Sequence, residues 1–418
     1  MRAKELMMKN ILLVLLVSIL VPVTGTAGDW PQWRGVNRDG YSTDTGLLKK
    51  WPASGPKLAW KITTVGGGYS GPAVADGKIY TMGDKDGACR IFALKESDGS
   101  MLWSTEVGAP GGHNKYPGPR ATPAVDGDKI YSLTQNGDLY CLAAADGKIV
   151  WQKNLEDDFD GKMMSGWRWS ESVLIDGDKL LCTPGGDTGA VLAINKKTGK
   201  PVWRCTDLTD PASYSSIMPW EHGGVRQYVQ FTGKSVVGID AATGKLLWHG
   251  DRPGKTAIVT TPVMKDDMVF VTSAYNIGCN MFKVDASGKK FSAKEVYANK
   301  DLMTHHGGVV LVGDHIYGTS QKTLVCMDMA TGKVAWENDC VGKGSIAYAD
   351  GMLIVRGESK AGTVALVEAN PKAYKEIGRF DQPDRSERQS WPHPVIANGR
   401  LYLRDQDLLL CYDLKKNE

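Results

Sequence analysis

One six-residue phrase constrains this chain more than any other feature, because the sequence writes it five times. It stands as Asp98-Gly99-Ser100-Met101-Leu102-Trp103, Asp146-Gly147-Lys148-Ile149-Val150-Trp151, Thr198-Gly199-Lys200-Pro201-Val202-Trp203, Thr243-Gly244-Lys245-Leu246-Leu247-Trp248 and Thr331-Gly332-Lys333-Val334-Ala335-Trp336. The Asp-Gly or Thr-Gly pair is a tight-turn signal, since glycine supplies the positive φ that short hairpins need. The residues after the turn read as a strand ending on a large aromatic anchor. The Trp-to-Trp steps are 48, 52, 45 and 88 residues, the last close to two periods, so one copy between Trp248 and Trp336 has decayed to Ala286-Ser287-Gly288-Lys289-Lys290. A period near 45 built only from short strands is a propeller signature.

Each unit opens with a β-rich run and turns at a polar pair such as Asp76-Gly77, Asp126-Gly127, Asp176-Gly177 or Asp350-Gly351. Two more strands and the Trp-bearing strand come next, making four antiparallel strands, or one blade. Seven complete units span 70–107, 121–155, 171–205, 218–251, 260–299, 305–340 and 344–380. The ends supply the eighth. Gly55-Pro56-Lys57-Leu58-Ala59-Trp60-Lys61 resembles a last strand without its first three, and Pro394–Ile396, Arg400–Leu403 and Leu408–Tyr412 are three strands without a fourth. Pairing them removes the open sheet edge. The fold class expected is all-β: an eight-bladed β-propeller of four-stranded antiparallel blades, closed by the N-terminal strand joining the last blade. No stretch beyond the N-terminus sustains a 3.6-residue period, so helix should be scarce.

Of the 418 residues, 1–27 read as a signal peptide: Arg2, Lys4 and Lys9 precede an apolar run from Ile11 to Val21, and Gly25, Thr26 and Ala27 come after it. The organisation expected is signal peptide 1–27, an arm without regular structure 28–57, propeller 58–414 and a tail 415–418. With no cysteine directly after the cleavage site, the expectation is a periplasmic or secreted monomer with no lipid anchor and no transmembrane segment in the mature chain. Loss of the leader lowers the formal charge from +3 to +1, which gives no support for nucleic-acid binding.

Eight cysteines in an exported chain invite disulfides. Yet Cys141, Cys326 and Cys411 share one repeat position with Ala93, Ala193 and Gly238. Small residues there mark a crowded strand interior, so mostly free, buried thiols are expected, with room for one bridge among the others. The repeated Trp60, Trp103, Trp151, Trp203, Trp248 and Trp336 read as wedges docking blade to blade. Each, if fully buried, is worth about 3–5 kcal/mol against alanine.

The phrase, with Ile239-Asp240-Ala241-Ala242-Thr243-Gly244 before its Trp, resembles the tryptophan-docking repeat of the PQQ-like β-propeller superfamily, and the Asp29-Trp30-Pro31-Gln32-Trp33-Arg34-Gly35 opening is similar to that of exported PQQ-like repeat proteins. The resemblance implies the fold across the mature chain. It does not decide function, because the superfamily holds quinoprotein alcohol dehydrogenases beside quinone-free propellers such as BamB-type assembly subunits. The dehydrogenases typically clamp the quinone against adjacent cysteines, and polyvinyl-alcohol-dehydrogenase-like members often carry a haem segment; this chain has no adjacent cysteines and no Cys-x-x-Cys-His.

The loops entering the innermost strands are unusually rich in aromatic, His and Arg residues for solvated loops. Arg120; Trp167, Trp169 and Glu171; Trp220, Glu221 and His222; His305 and His306; and Trp391 and His393 are the candidate ligand-binding residues, with Tyr69 and Ser70 opening the first unit. Converging on one axis, they describe a concave site with apolar walls and a few oriented polar groups; the alternative is a plug filling the channel. The expectation is non-catalytic binding of a small molecule, glycan or envelope protein segment, with no cofactor required. The alternatives are a BamB-like assembly subunit and a PQQ- and calcium-dependent dehydrogenase. In the last, Trp167, Trp169, Trp220 or Trp391 would stack the quinone, Glu171 or Glu221 would bind calcium, and Arg120 or Arg388 would hold the carboxylates; no local motif assigns Asn276 or Asp301 as calcium ligand or base.

Overall fold

Ala73–Ala75, Lys78–Lys85, Ala88–Lys95 and Met101–Glu106 form the first of eight four-stranded sheets that succeed one another in chain order. The computed structural model describes residues 28–359 and 361–415, so the expected signal peptide and residues 416–418 of the tail lie outside the described residues. Blades two to seven occupy 124–154, 174–204, 218–251, 263–299, 309–338 and 344–380. The eighth joins Val395–Ala397, Arg400–Asp405 and Leu408–Asp413 to the N-terminal strand Lys57–Thr63. That strand runs antiparallel to the last one, with Lys57 opposite Asp413, Trp60 opposite Cys411 and Thr63 opposite Leu408. The eight-bladed all-β ring and its closure across the chain ends are as the repeat count requires. No helix occurs among the described residues, and none is long and apolar enough to cross a membrane.

Cross-strand register explains the small residues of the third strand. Ala93, Cys141, Ala193, Gly238, Cys326 and Cys411 each lie directly opposite the docking Trp of their own blade, and a β-bulge adjoins each pair. A larger side chain there would collide with the indole. All eight cysteines are free thiols, seven of them buried.

The indoles then reach the next blade. Trp60, Trp103, Trp151, Trp203 and Trp336 donate Nε1–H to the carbonyls of Glu96, Ala144, Lys196, Ala241 and Asn370, at 2.8–3.3 Å. The turn glycine of the receiving blade lies against the ring. A Cβ added to Gly99, Gly147, Gly199 or Gly244 would come within 3.1 Å of the indole before it. These glycines also hold φ between 68° and 76°, a region that L side chains avoid. The two ends of the phrase thus meet across these four junctions, Trp from one blade on Gly from the next.

Four junctions depart from this pattern, and at one of them Trp336 keeps its bond to the Asn370 carbonyl without a turn glycine against its ring. In blade five Tyr297 replaces Trp, packs on Gly332 and donates its hydroxyl to the Met329 carbonyl at 2.8 Å; the remnant around Gly288 is the tip of that blade's long outer hairpin. Trp248, facing this hairpin, turns back over its own blade and donates to Gln227 at 2.7 Å. In blade seven the Trp position is Gly378, and Trp51 from the arm covers it. Trp248 is 3 % exposed, but the other five docking indoles are only half-buried, which scales their expected energy down from the fully buried figure.

Gly77 and Gly147 separate the two demands on the turn glycine: φ is 71° and 72° respectively, yet a Cβ meets nothing within 4 Å at Gly77 and Trp103 at 2.6 Å at Gly147. Gly77→Ala should lose about 1 kcal/mol of stability from backbone strain. Gly147→Ala should lose a further ~1–3 kcal/mol from overpacking. Urea melts that found the two equal would refute the docking role of this glycine.

Candidate functional site

The channel is closed at one end by the arm, which is not irregular throughout. Tyr41–Ser42 adds a parallel strand to the innermost strand of blade seven, and Trp30 bridges Val74 of blade one. Arg38 donates to the Ser172 and Val173 carbonyls of blade three, at 2.7 and 3.0 Å. Arg34 reaches the Val309 carbonyl of blade six at 2.5 Å and His393 Nδ1 of blade eight at 3.3 Å. His393 Nε2 donates to the His306 carbonyl at 2.8 Å, which leaves Nδ1 as the acceptor for Arg34. Burial and the Arg34 charge push the His393 pKa down to about 3, so this ring is a neutral brace. Trp33 lies between these anchors with its indole 4.6 Å from His393 and its Nε1–H on Thr261.

Trp33 is the floor of a cavity of about 100 Å³ at the opposite, open end. The walls obey one rule. Counting back seven residues from the first turn of each blade gives Tyr69, Arg120, Ser170, Ser216, Val259, His306, Lys343 and Trp391. Seven of these line the cavity, and Lys343 lines the wider vestibule of about 450 Å³ above it. Each blade contributes the same position, immediately ahead of its innermost strand, so eight distant segments meet on one axis. Trp167, Tyr214, Tyr275 and His305 complete the wall. The hairpin Gly112–His113/Tyr116–Pro117 overhangs the mouth, with His113 stacked on Trp167 at 4.0 Å. Ring contacts run on from Trp167 to Tyr116 (5.3 Å), Tyr116 to Trp391 (5.0 Å) and Trp391 to Tyr69 (4.4 Å).

The polar groups in this collar are few and held in place. Arg120 sits 5.8 Å over the Tyr69 ring and donates to the carbonyls of Trp167 (3.1 Å) and Tyr116 (2.6 Å). His305 Nε2 meets the Tyr275 hydroxyl at 3.1 Å, and His305 Nδ1 meets His306 Nδ1 at 3.3 Å. His306 Nε2 is buried on the cavity wall with no hydrogen-bond partner among the described residues. Burial, with like charge from Lys343, lowers the His305 pKa to about 4; burial first, and then His305, lowers that of His306 well below its ordinary value. Both rings are neutral at pH 7. In the vestibule Glu358 is engaged by Trp391 Nε1 at 2.9 Å and Lys343 at 2.8 Å.

Of the residues that the sequence pattern selects, Arg120, Trp167, His305, His306 and Trp391 come together, and His393 lies beneath them. Trp169 does not join them. It is eight residues ahead of its turn, 2 % exposed, and packs on Gly137 in the core between blades. Glu171, six ahead, points between blades three and four and accepts from Thr183 N (2.7 Å), Thr183 Oγ1 (3.0 Å) and Gln230 (3.4 Å). Burial raises its pKa to about 8. Trp220, Glu221 and His222 lie at the far end, because Met218–His222 is itself the innermost strand and turns at Gly223-Gly224. There Trp220 stacks on His222 at 4.3 Å and Glu221 pairs with Arg226. Residue type alone does not select Tyr214, Ser216, Tyr275 or Trp33; counting back from Gly223 finds Ser216, and Tyr214 near it.

A quinone held through calcium does not fit this donor set. No carboxylate lines the cavity, whereas calcium takes oxygen ligands and usually several carboxylates. Glu171 is sealed between blades, Glu221 is at the far end, and Asn276 and Asp301 are exposed. Among the described residues no group of three His, Cys, Asp or Glu side chains could hold a metal, and no thiol lines the cavity.

A ring of PQQ-like repeats around an aromatic channel mouth has counterparts among known proteins. The family model described as "Outer membrane protein assembly factor BamB" matches residues 90–338 and 284–407. The chain belongs to this family of PQQ-like repeat propellers. Among curated relatives, tetrathionate hydrolase of Acidithiobacillus ferrooxidans is 22 % identical over 93 % of this chain and 82 % of its own length. The BamB proteins of Yersinia pestis and Salmonella typhimurium are 25 % and 27 % identical, and the matches span 55 % and 36 % of their lengths. Among solved structures, BamB from Moraxella catarrhalis superimposes with a TM-score of 0.58 (16 % identity, 84 % of this chain, 95 % of that one). Quinohemoprotein alcohol dehydrogenase from Comamonas testosteroni gives 0.65 (13 % identity, 95 % and 82 %). At these identities the structural likeness is one of fold.

Glu171 offers a pH test of the inter-blade packing. Its folded pKa of about 8 lies above the ordinary 4.5, so the fold favours the protonated acid. The stability this contributes is full below about pH 4.5 and is lost as pH rises toward 8. Glu171→Gln, which mimics the acid, should flatten that decline by on the order of a few kcal/mol in urea melts between pH 5 and 8.5; an unchanged decline would contradict the assignment.

Proposed function

We propose that this chain is a non-catalytic propeller of the cell envelope that captures a small molecule in the aromatic cavity at its channel mouth. The observation that carries the reading is the blind, ring-lined shape of the cavity. Trp33 stops it from below, Tyr69, Trp167, Tyr214, Tyr275 and Trp391 wall it, and Arg120, His305 and His306 supply oriented polar atoms. A closed floor suits a molecule that enters and stops rather than a chain that threads through. Apolar walls with a few fixed polar groups are the usual build of small-molecule sites. The envelope location rests on the leader-like residues 1–27 and on relatives whose printed name is outer membrane protein assembly factor. The lack of convergent carboxylates argues for binding over quinone-dependent oxidation.

A second reading, an assembly subunit like those relatives, draws on a different surface. Leu58, Met101, Leu102, Ile149, Val150 and Val202 are exposed on the outermost strands of blades eight, one, two and three, a run of apolar side chains that a protein partner could cover. Trp391→Ala divides the two. The cavity reading expects indole binding, measured by calorimetry, to weaken about tenfold, since aromatic contacts contribute ~0.5–1.5 kcal/mol beyond the area they bury, with any complex left intact. Indole affinity unchanged in the variant would refute it.

A further inference from the structure

Resting on the small-molecule reading of the cavity, we infer that the ligand is a small organic anion with a planar apolar body, its charged group held by Arg120 and a second hydrogen-bonding group met by His306 across the channel. Arg120 is the one charged side chain among the fourteen residues lining the cavity. It has no ion-pair partner among the described residues: both of its bonds go to backbone carbonyls. Asp84, whose charge reaches it, accepts instead from Gly111 N and Gln135. A guanidinium pinned at two nitrogens and set over a ring keeps a fixed orientation. Half-buried and uncompensated, it favours an anion that can use its remaining N–H groups.

His306 supplies the second anchor. It is 7 % exposed, and its Nε2 is the unpartnered buried atom on the wall. An orphan of this kind is destabilising until something pairs with it, and a ligand group is what the open cavity admits. Because His305 Nδ1 faces His306 Nδ1, a single proton lies between them, and the Tyr275 hydroxyl at His305 Nε2 completes the chain. If His305 donates, His306 Nε2 carries hydrogen and donates; if His306 donates, Nε2 accepts. A hydroxyl satisfies either arrangement. Arg120 belongs to blade two and His306 to blade six, four positions apart in a ring of eight. The two anchors therefore face each other across the axis, which suits an elongated ligand with polar groups at opposite ends and the aromatic collar between. The cavity, near 100 Å³, is smaller than the about 150 Å³ that holds benzene, so a single-ring ligand would sit partly in the open vestibule of about 450 Å³ above it.

Calorimetric titration of the full mature chain with 4-hydroxybenzoate, its neutral counterpart 4-hydroxybenzamide, and benzoate tests this. The acid should bind at least tenfold more tightly than the amide. Arg120→Gln should erase that preference, and Arg120→Lys, which keeps the charge without the fork, should retain part of it. Thermal melts of both variants show whether they fold. His306→Phe should erase the preference for 4-hydroxybenzoate over benzoate and leave the preference for the acid over the amide. Equal binding of acid and amide, or a preference that survives in Arg120→Gln, overturns the anion assignment while the cavity reading stands. Binding by none of the three overturns both.

Discussion

The molecule depends on the seating of one blade's tryptophan on the next blade's turn glycine. At the four Trp–Gly junctions that open on blades eight, one, two and three, three requirements coincide: a left-handed turn, an absent Cβ, and a carbonyl aimed at an indole N–H. Satisfying them together fixes both the spacing and the tilt between neighbouring blades. It also dictates what stands behind each Trp, which is why Ala, Cys or Gly recurs on the third strand. Thiols at Cys141, Cys326 and Cys411 result from this steric demand rather than from redox chemistry, and burial raises the pKa of each. Inert thiols of this kind act as small apolar side chains.

Where a junction departs from the rule, another group fills the space. Tyr297 does so with a hydroxyl in place of an indole N–H, Trp51 crosses from the arm to cover Gly378, and Trp248 turns inward where no turn glycine receives it. Buried arginines play a comparable part nearer the axis. Arg34, Arg38, Arg356 and Arg404 spread their N–H groups over carbonyls of neighbouring segments, satisfying backbone acceptors that end near the channel without a strand partner. The result is rigidity around the site, which suits a binding pocket whose rings must keep their places without a ligand.

The binding region is a consequence of ring closure. One position per blade faces the mouth, and across the eight blades it reads Tyr, Arg, Ser, Ser, Val, His, Lys, Trp. Evenly polar side chains at that position would make a wet channel; three aromatic or imidazole rings, one guanidinium and small residues make a lined cavity. The arm converts the channel into a pocket by placing Trp33 across it. Arm and collar thus form one functional unit although some 360 residues separate Trp33 from Trp391.

Much of this was legible in the residues alone. The recurrence of Gly-x-x-x-Trp set the number of modules, and the incomplete ends at Trp60 and Leu408–Tyr412 implied their union, because turn chemistry and strand alternation are local properties that survive in a linear string. The lining of the mouth was legible only in part. Aromatic and His content selected Trp167, His305 and Trp391, which line the mouth, but the same criterion admitted Trp169 and Trp220, which differ by one residue and by four from the position that faces the axis. Phase relative to the turn picks out one facing residue per blade, but His305 shares the phase of Trp169 and still reaches the cavity, so the path of each loop decides the rest. The floor was beyond reach of the string: nothing local tells Trp33 that it will lie beneath Trp391. Only the closed ring, which brings both chain ends to one axis, settles that contact.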